Sequence, residues 1–324
     1  MPEPLLSVVI ACHNHEGFVR EAVDSILSQD FPAREIIVVD DGSRDRTPEV
    51  LSTFGAAITF ARFPVNRGAG AARNHGASLA RGKYLVFLDG DDALLPHTLA
   101  LYGQLVTARQ PTLLLGHAAH CYEKLPAPPD PAREVRFVDY PDFFAKDRPW
   151  VYNTSSLVVE RAPFLAAGGW SEDIFYQDIQ DLLNKLAFAG KTLLVLSPDT
   201  VWYRMHTTNA VRRVQPFIEG IYTLLRKAKN GVYPGDREQR LRRAAWFGGL
   251  IFYWMKEAIS TGFYRDGLAL LAARWWMIAL AVVRRGAVRI TGRKPVETLP
   301  LNGSPALENS STAGDASLSS HSRP

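Results

Sequence analysis

The chain has 324 residues, of which 47% are hydrophobic, so it is long enough for roughly two domains with buried cores. Two cysteines, Cys12 and Cys121, are too few for a disulfide framework or a cysteine-rich metal cluster, which favours a reducing compartment. No uncharged apolar run reaches the roughly 20 residues that span a bilayer. We expect no secretory signal, because the apolar run at residues 7–11 is too short and too early for one.

Basic residues are concentrated towards the C-terminus. Residues 1–214 carry 21 Lys and Arg against 25 Asp and Glu, whereas residues 215–294 carry 15 against 5, and residues 295–324 carry 1 against 3. A basic segment beside a near-neutral body favours an anionic partner, such as lipid headgroups or a nucleic acid. The sequence therefore predicts a domain over 1–214, a basic amphipathic helical extension over 215–294, and a disordered tail over 295–324 that is rich in small polar residues.

The first 116 residues alternate between short apolar runs and helical patterns. Strands that alternate with helices in this way form βαβ units. We therefore predict an α/β fold with a mostly parallel central sheet flanked by helices. The predicted strands are residues 6–11, 36–39, 58–61, 84–88 and 113–115, and the predicted helices between them lie at 17–29, from 47 onward, and at 66–81.

Polar residues follow three of these strands at the point where each strand ends. Because ligands of such sheets bind at the carboxyl ends of the strands, we expect one cleft there. The first strand is followed by neither a G-x-G-x-x-G motif nor a P-loop, which argues against a dinucleotide or phosphate held by a glycine turn. The three groups are His13 with Asn14, Asp40 with Asp41, and Asp89 with Asp91.

The acidic run after the fourth strand is the strongest chemical signal. Five apolar residues, 84–88, are followed by Asp89, Asp91 and Asp92. Carboxylates this close repel one another, and a bound divalent cation relieves the repulsion. The run alone leaves open a plainer alternative, an acidic turn ahead of the next helix.

Four blocks of the sequence resemble those of the family 2 inverting glycosyltransferases, in the same order and at the usual spacing. The resemblance covers about residues 5–212 and implies the A-type glycosyltransferase fold, which is Rossmann-like. It implies a metal-dependent transfer of one sugar from a nucleotide-diphosphate sugar, expected to be a UDP-sugar, to a hydroxyl of a glycan or lipid-linked acceptor. The blocks lie at residues 7–14 with 35–43, 66–92, 168–178 and 203–209.

The resemblance also implies a metal site. Asp91 matches the family ligand of Mn²⁺ or Mg²⁺, and Asp89 matches an acid that faces the ribose and the metal-bound waters. His206 lies in a segment that resembles the family's Tyr-Arg-x-His and is expected to complete the metal shell or to contact the diphosphate. A packed loop histidine is the alternative for His206.

Besides Asp89, four residues are expected at the donor. Asp41 corresponds to the carboxylate that accepts a hydrogen bond from uracil in relatives that use uridine nucleotides, and an acid ahead of the helix at Thr47 is the alternative. Arg73 matches an arginine close to the base and phosphates, with a surface helix arginine as the alternative. Ala11 and His13 occupy positions that flank the base, although Ala-Cys-His departs from the common Pro-Thr-Tyr.

Inversion requires a base that removes the proton of the acceptor hydroxyl. The family's Glu-Asp pair supplies this base through its Asp, and the corresponding residues here are Gln177 and Asp178. Asp178 is our candidate, and Asp181, one helical turn later, is the runner-up. Because Gln replaces Glu, one alternative stays open: the protein is a catalytically inactive relative that binds a nucleotide sugar or a partner protein. A nucleotidyltransferase is less favoured, because the Gly-rich loop with Arg or Lys is missing after the first strand.

The C-terminal extension contains two apolar stretches, residues 244–255 and 268–283, that carry tryptophan and are flanked by arginine or lysine. These features are typical of helices that lie in a membrane interface against anionic lipid. A helical subdomain packed on the catalytic domain is the alternative. We expect a cytoplasmic protein, peripheral at the inner face of the cell membrane through residues 244–294, and no nucleic-acid partner because no such module is recognised.

Overall fold

The computed structural model describes residues 3–122, 124–127, 129–130, 132–146, 153–206 and 214–301. The strands are β1 (Leu6–Cys12), β2 (Arg34–Asp40), β3 (Thr59–Arg62), β4 (Tyr84–Asp89), β5 (Ala93–Leu94), β6 (Leu113–Leu115), β7 (Ala118–Tyr122), β8 (Glu134–Tyr140), β9 (Leu157–Glu160), β10 (Thr192–Ser197), β11 (Val201–Met205) and β12 (Glu297–Pro300). The α-helices are α1 (Val19–Leu27), α2 (Thr47–Ser52), α3 (Ala69–Leu79), α4 (Thr98–Arg109), α5 (Arg161–Ala166), α6 (Asp178–Leu186), α7 (Val214–Lys229), α8 (Arg237–Ser260) and α9 (Tyr264–Thr291).

A nine-stranded sheet in the order β12-β8-β10-β6-β9-β4-β1-β2-β3 forms the centre of the molecule. Strands β3, β2, β1 and β4 pair in parallel, and within this sheet only β8 and β9 run against the common direction. The prediction of a mostly parallel α/β sheet is therefore confirmed.

The sheet separates two hydrophobic cores. Val8 and Ile10 of β1 point into one core, and Val9 and Ala11 point into the other. Alternating side chains of a strand face opposite sides of a sheet, so both faces must be covered when every residue of the strand is apolar. This burial explains why residues 8–12 of β1 form a continuous apolar run.

A second, three-stranded sheet lies beside the carboxyl end of β4 in the order β5-β11-β7. Strand β5 follows the acidic run directly, and Trp202 of β11 pairs with Ala93 of β5 in antiparallel register. The small sheet therefore brings residues 203–206 to the acids at 89–92, although more than a hundred residues separate them in sequence.

Helices α7, α8 and α9 pack together and against the body. A third core contains Ile221 of α7, Phe247 and Ile251 of α8, and Leu270 of α9. Trp246 of α8 also packs edge-on against Phe143 of the body at 5.9 Å between ring centroids. The extension is thus helical, and part of its surface is used for packing on the body.

Helix α9 is bent by 75° at Arg274. Among the described residues no single helix is long and apolar enough to cross a membrane, although the two halves of α9 meet that criterion when taken together.

The prediction of a disordered tail from residue 295 is wrong for its first residues. Strand β12 pairs antiparallel with β8 at the edge of the large sheet, and Leu301 is buried in the adjacent core. The polar average over thirty residues concealed Leu299 and Leu301, which alternate with the exposed residues Thr298 and Pro300 as an edge strand requires. Residues 302–324 lie outside the described part.

The contact between α8 and α9 yields a stability test. A Cβ at Gly248 would overlap the backbone carbonyl of Met277, whereas a Cβ at Gly286, also inside a helix, would meet nothing. We expect Gly248→Ala to lower the free energy of unfolding by about 1–3 kcal/mol, because overpacking forces the helices apart. Gly286→Ala should leave it unchanged or raise it by up to about 1 kcal/mol through helix propensity. Urea unfolding measures both, and equal effects of the two substitutions would contradict the close helix contact.

Candidate active site

The acidic loop lies tightly against the end of β1. The Gly90 amide donates to the carbonyl of Ala11 at 2.9 Å, and a Cβ at Gly90 would come within 2.5 Å of the Cβ of Cys12. Only glycine fits this approach, so the loop turns immediately after Asp89. The three carboxylates consequently point in different directions.

Asp92 is buried and anchors the loop. One carboxylate oxygen accepts from the Arg204 amide at 2.8 Å, and the other accepts from the Ser155 hydroxyl. Burial, together with the nearby charges of Asp91 and Asp89, raises the pKa of Asp92 well above its ordinary value. Asp92 therefore has a structural role, while Asp89 and Asp91 line the cleft.

Arg204 is a part of the site that the sequence reasoning missed. Its Nε donates to the carbonyl of Asp91 at 2.7 Å, its guanidinium pairs with Glu21, and it lies 4.8 Å from the ring centroid of Phe18. The side chain is buried, so it fixes the acidic loop from beneath. The Tyr-Arg-x-His segment contained Arg204, but only the pairing of β11 with β5 shows what it contacts.

Two of the predicted metal ligands are in contact. The Nε2 atom of His206 lies 2.9 Å from Asp91 Oδ2, and its ring stacks on Phe18 at 5.2 Å. Burial alone would raise the pKa of Asp91, but the hydrogen bond to His206 and the proximity of His15 outweigh burial and lower it. The Nδ1 atom of His15 is buried nearby. If residue 90 had a Cβ, that atom would lie only 2.7 Å from this nitrogen.

Asp89 forms an ion pair with Arg73. Arg73 Nη2 lies 2.6 Å from Asp89 Oδ1, and Arg73 Nη1 lies 2.8 Å from Asp178 Oδ2. The guanidinium is buried and lies 4.8 Å from the ring centroid of Trp170. In the part of the chain that the structure describes, no group of three or more His, Cys, Asp or Glu side chains is arranged to hold a metal ion by itself.

Asp178 is the first residue of α6 and lines the cleft. Burial raises the pKa of its carboxyl above the ordinary value, and the charge of Arg73 opposes that rise. Gln177 precedes it in the left-handed region, with φ of 70°, and its side chain is buried and donates to the carbonyl of Phe217 at 3.4 Å. Gln177 therefore packs the turn that presents Asp178.

Asp181 is fully buried and does not line the cleft. Its two oxygens accept from Ser171 at 2.6 Å and from Tyr233 at 2.7 Å. Lys185 and Lys227 also lie within 3.4 Å of the carboxylate. The runner-up for the base is thus enclosed in a network that joins α6 to the segments on either side.

The predicted base-binding residues lie at the other end of the cleft. Asp41 accepts from the amides of Arg67 at 2.7 Å and Gly68 at 2.8 Å, so its carboxylate fixes the turn before α3. His13 Nδ1 lies 2.8 Å from the carbonyl of Asp41, which can only accept, so Nδ1 carries the proton. Each carboxylate oxygen of Asp41 keeps a second lone pair for a ligand.

One cleft of about 1320 Å³ joins these groups. It is lined by seven of the nine predicted site residues: Ala11, His13, Asp41, Arg73, Asp89, Asp91 and Asp178. The lining does not include Asp181, and His206 reaches the cleft through its contact with Asp91.

Comparison with known proteins agrees with the resemblance. Residues 7–125 match the family described as Glycosyl transferase family 2. This part of the chain belongs to that family. An uncharacterized glycosyltransferase of Rickettsia typhi is 38% identical over 96 residues, which is 30% of each chain. The putative glycosyltransferase EpsH of Bacillus subtilis is 36% identical over 100 residues, which is 30% of this chain and 28% of EpsH. The aligned segment thus spans less than a third of either relative.

Solved structures extend the likeness to most of the chain. The structure of S. aureus TarS residues 1–349 in complex with UDP has a TM-score of 0.60 at 17% identity, and the likeness covers 80% of this chain and 74% of that chain. The mannosyltransferase PcManGT of Pyrobaculum calidifontis, in complex with GDP-Man and Mn²⁺, has a TM-score of 0.50 at 19% identity. The likeness covers 89% of this chain and 87% of the PcManGT chain. The A-type glycosyltransferase fold is thereby confirmed.

The different surroundings of the two aspartates on α6 predict different effects on stability. Asp181→Asn removes a charge that faces two lysines and two hydroxyl donors, so we expect a loss of at least about 2 kcal/mol in the free energy of unfolding. Asp178→Asn should change the free energy of unfolding by less than about 1 kcal/mol. Arg73 keeps its ion pair with Asp89, and a neutral amide avoids the cost of burying the Asp178 carboxylate. Urea unfolding compares them, and a larger loss for Asp178→Asn would contradict this division of roles.

Proposed function

We propose that the protein is a metal-dependent inverting glycosyltransferase that moves one sugar from a UDP-sugar to a hydroxyl of a glycan or lipid-linked acceptor. The observation that carries the proposal is the guanidinium of Arg73, which joins Asp89 and Asp178 inside the cleft that also contains Asp41 and Asp91. The family match and the UDP, UDP-GlcNAc and GDP-Man complexes of its structural relatives support a nucleotide-sugar donor.

Asp178 is the proposed base. Its carboxylate takes the proton of the acceptor hydroxyl, the hydroxyl oxygen forms a bond to the anomeric carbon from the opposite face, and the bond from that carbon to the diphosphate oxygen breaks. Burial raises the pKa of Asp178, which makes its carboxylate a better proton acceptor, and the charge of Arg73 opposes that rise. General base catalysis of this kind typically contributes about 10²–10⁴-fold.

The chemistry of Asp91 and His206 fits a divalent cation that also binds phosphate. They offer one carboxylate oxygen and one imidazole nitrogen, and phosphate oxygens of the donor would supply further ligands. A bound Mn²⁺ or Mg²⁺ would stabilise the negative charge that grows on the leaving diphosphate. The hydrogen bond between Asp91 and His206 must open for both side chains to serve as ligands.

The specificity for uridine is proposed from Asp41. Its carboxylate lies beside Ala11 and His13 in the cleft lining and can accept a further hydrogen bond, such as that of the uracil N–H. Gln177, the residue that favoured an inactive relative, serves a packing role through its contact with Phe217, so its presence does not argue against catalysis by Asp178.

The first functional test is the substitution Asp178→Asn. We expect transfer from a UDP-sugar to fall by about 10²–10⁴-fold with donor affinity unchanged, because the amide cannot accept the proton. Asp173→Asn is the matched control, since that carboxyl lies five residues earlier and is largely exposed. Transfer is measured as release of UDP, and affinity by calorimetry. Full transfer by Asp178→Asn would remove it as the base, and no UDP release by the native protein across a panel of donors would favour the inactive relative.

The second functional test concerns the cation. Asp91→Asn should weaken UDP binding in Mn²⁺ by at least about tenfold, because it removes a charged ligand, and should leave the weaker binding measured in EDTA unchanged. Asp24→Asn, at an exposed position on α1, should match the native protein in both conditions. Equal affinities of the native protein for UDP in Mn²⁺ and in EDTA would contradict a metal-bridged donor.

A further inference from the structure

The cleft does not end at Asp178. Beyond this residue it continues between α7, α8 and α9, where Phe217, Trp254 and Arg285 are among its lining residues. Gly220 of α7 lies so close to the turn before Asp178 that a Cβ there would approach the carbonyl oxygen of Tyr176 to 2.5 Å. The C-terminal helices therefore form the part of the cleft wall that lies next to Asp178, the proposed base.

Aromatic side chains form the part of this wall next to Asp178. Tyr176 meets Phe217 edge-on at 5.1 Å, and Phe217 stacks on Trp254 at 4.5 Å with 15° between the planes. Tyr253 and Trp254 are likewise in edge contact at 5.5 Å. Flat apolar ring faces with polar edges suit the C–H faces and hydroxyls of a sugar. This position is suited to the acceptor sugar whose hydroxyl Asp178 would deprotonate.

Arginines line the part of the cleft beyond the aromatic residues. Arg285 and Arg289, four residues apart on α9, line the cleft together with Arg284 and Arg293, and Glu257 is the carboxylate that lines the same region. Arg284 donates to the backbone carbonyl of Lys146 at 3.3 Å, which holds α9 on the body. Several guanidinium groups on one helix repel one another unless an anion lies between them. Planar guanidinium groups bind phosphate oxygens in pairs, so this end of the cleft suits a phosphate or diphosphate.

The opposite side of α9 is apolar and exposed. Trp276, Val283 and Ile290 recur every seven residues and are 43%, 69% and 88% exposed, which is unusual for side chains of this size. A helix with arginines on one side and exposed apolar residues on the other is suited to the boundary between lipid headgroups and acyl chains. A phosphate held by Arg285 and Arg289 would lie at the level of the headgroups, with a lipid chain continuing into the bilayer.

We infer that the cleft between α7, α8 and α9 is the acceptor site, and that the acceptor is a sugar joined through a phosphate or diphosphate to a lipid. The sugar lies against Phe217 and Trp254, the phosphates lie between Arg285 and Arg289, and the lipid leaves along the apolar side of α9. This inference rests on the proposed function, because Asp178 must act on a hydroxyl of that sugar.

The test uses farnesyl diphosphate as the probe, with the full chain and with saturating UDP and Mn²⁺ so that the donor end is filled. Calorimetry should give an affinity for farnesyl diphosphate at least about tenfold higher than for inorganic diphosphate or for farnesol, because only the intact probe has both charge and chain. The double substitution Arg285→Gln with Arg289→Gln should weaken binding by at least about tenfold. Arg226→Gln with Arg265→Gln, two exposed arginines outside the cleft, should not.

The outcomes separate the two proposals. Failure of UDP and Mn²⁺ to bind counts against the proposed function, whatever the probe does. Normal UDP binding with equal affinity for farnesyl diphosphate and inorganic diphosphate, or equal weakening in both double variants, overturns the acceptor site. If phosphatidylglycerol vesicles lose binding in the Arg285 and Arg289 variant while farnesyl diphosphate does not, these arginines bind the membrane surface and the inference also fails.

Discussion

A single buried guanidinium organises the site. Arg73 belongs to α3, Asp89 ends β4 and Asp178 begins α6, so the two ion pairs of Arg73 connect three elements that are far apart in sequence. A buried arginine is stable only when its charge is neutralised and its N–H groups have acceptors. The two carboxylates neutralise this charge and accept from Nη1 and Nη2 of Arg73. The two ion pairs in turn fix the distance between the donor side and the base side of the cleft.

The same principle divides the acidic residues into two groups. Asp92 and Asp181 are enclosed by hydrogen-bond donors and hold the acidic loop and α6 in place. Asp91 and Asp178 line the cleft. The pKa of Asp91 is lowered, because its contact with His206 outweighs its burial, whereas burial raises the pKa of Asp178. A carboxylate with a low pKa suits a cation, and one with a raised pKa suits proton transfer. The surroundings, rather than the residue type, assign each role.

The sequence was sufficient for the parts of the site that depend on local pattern. The apolar run of β4 predicted both a buried strand and the position of its acids at the edge of the sheet. Arg204 could not be assigned in this way, because only the second sheet, which contains Arg204 in β11, brings it to Glu21 and Asp91. Helix periodicity places Asp178 and Asp181 on one face of α6, and only tertiary packing shows that the second is buried. The tail prediction was wrong at 295–301 because composition ignores the pairing available at an open sheet edge.

The turn at Tyr176 and Gln177 connects the chemistry to the C-terminal helices. Gln177 adopts a left-handed conformation that non-glycine residues rarely adopt, and such a conformation persists only where the surrounding structure determines it. Here that structure is α7, through the close approach of Gly220 and the carbonyl of Phe217. Because Phe217 also stacks on Trp254, any shift of α8 against the body would move the turn that presents Asp178. The helical extension is thus mechanically part of the candidate active site, whatever else its exposed surface binds.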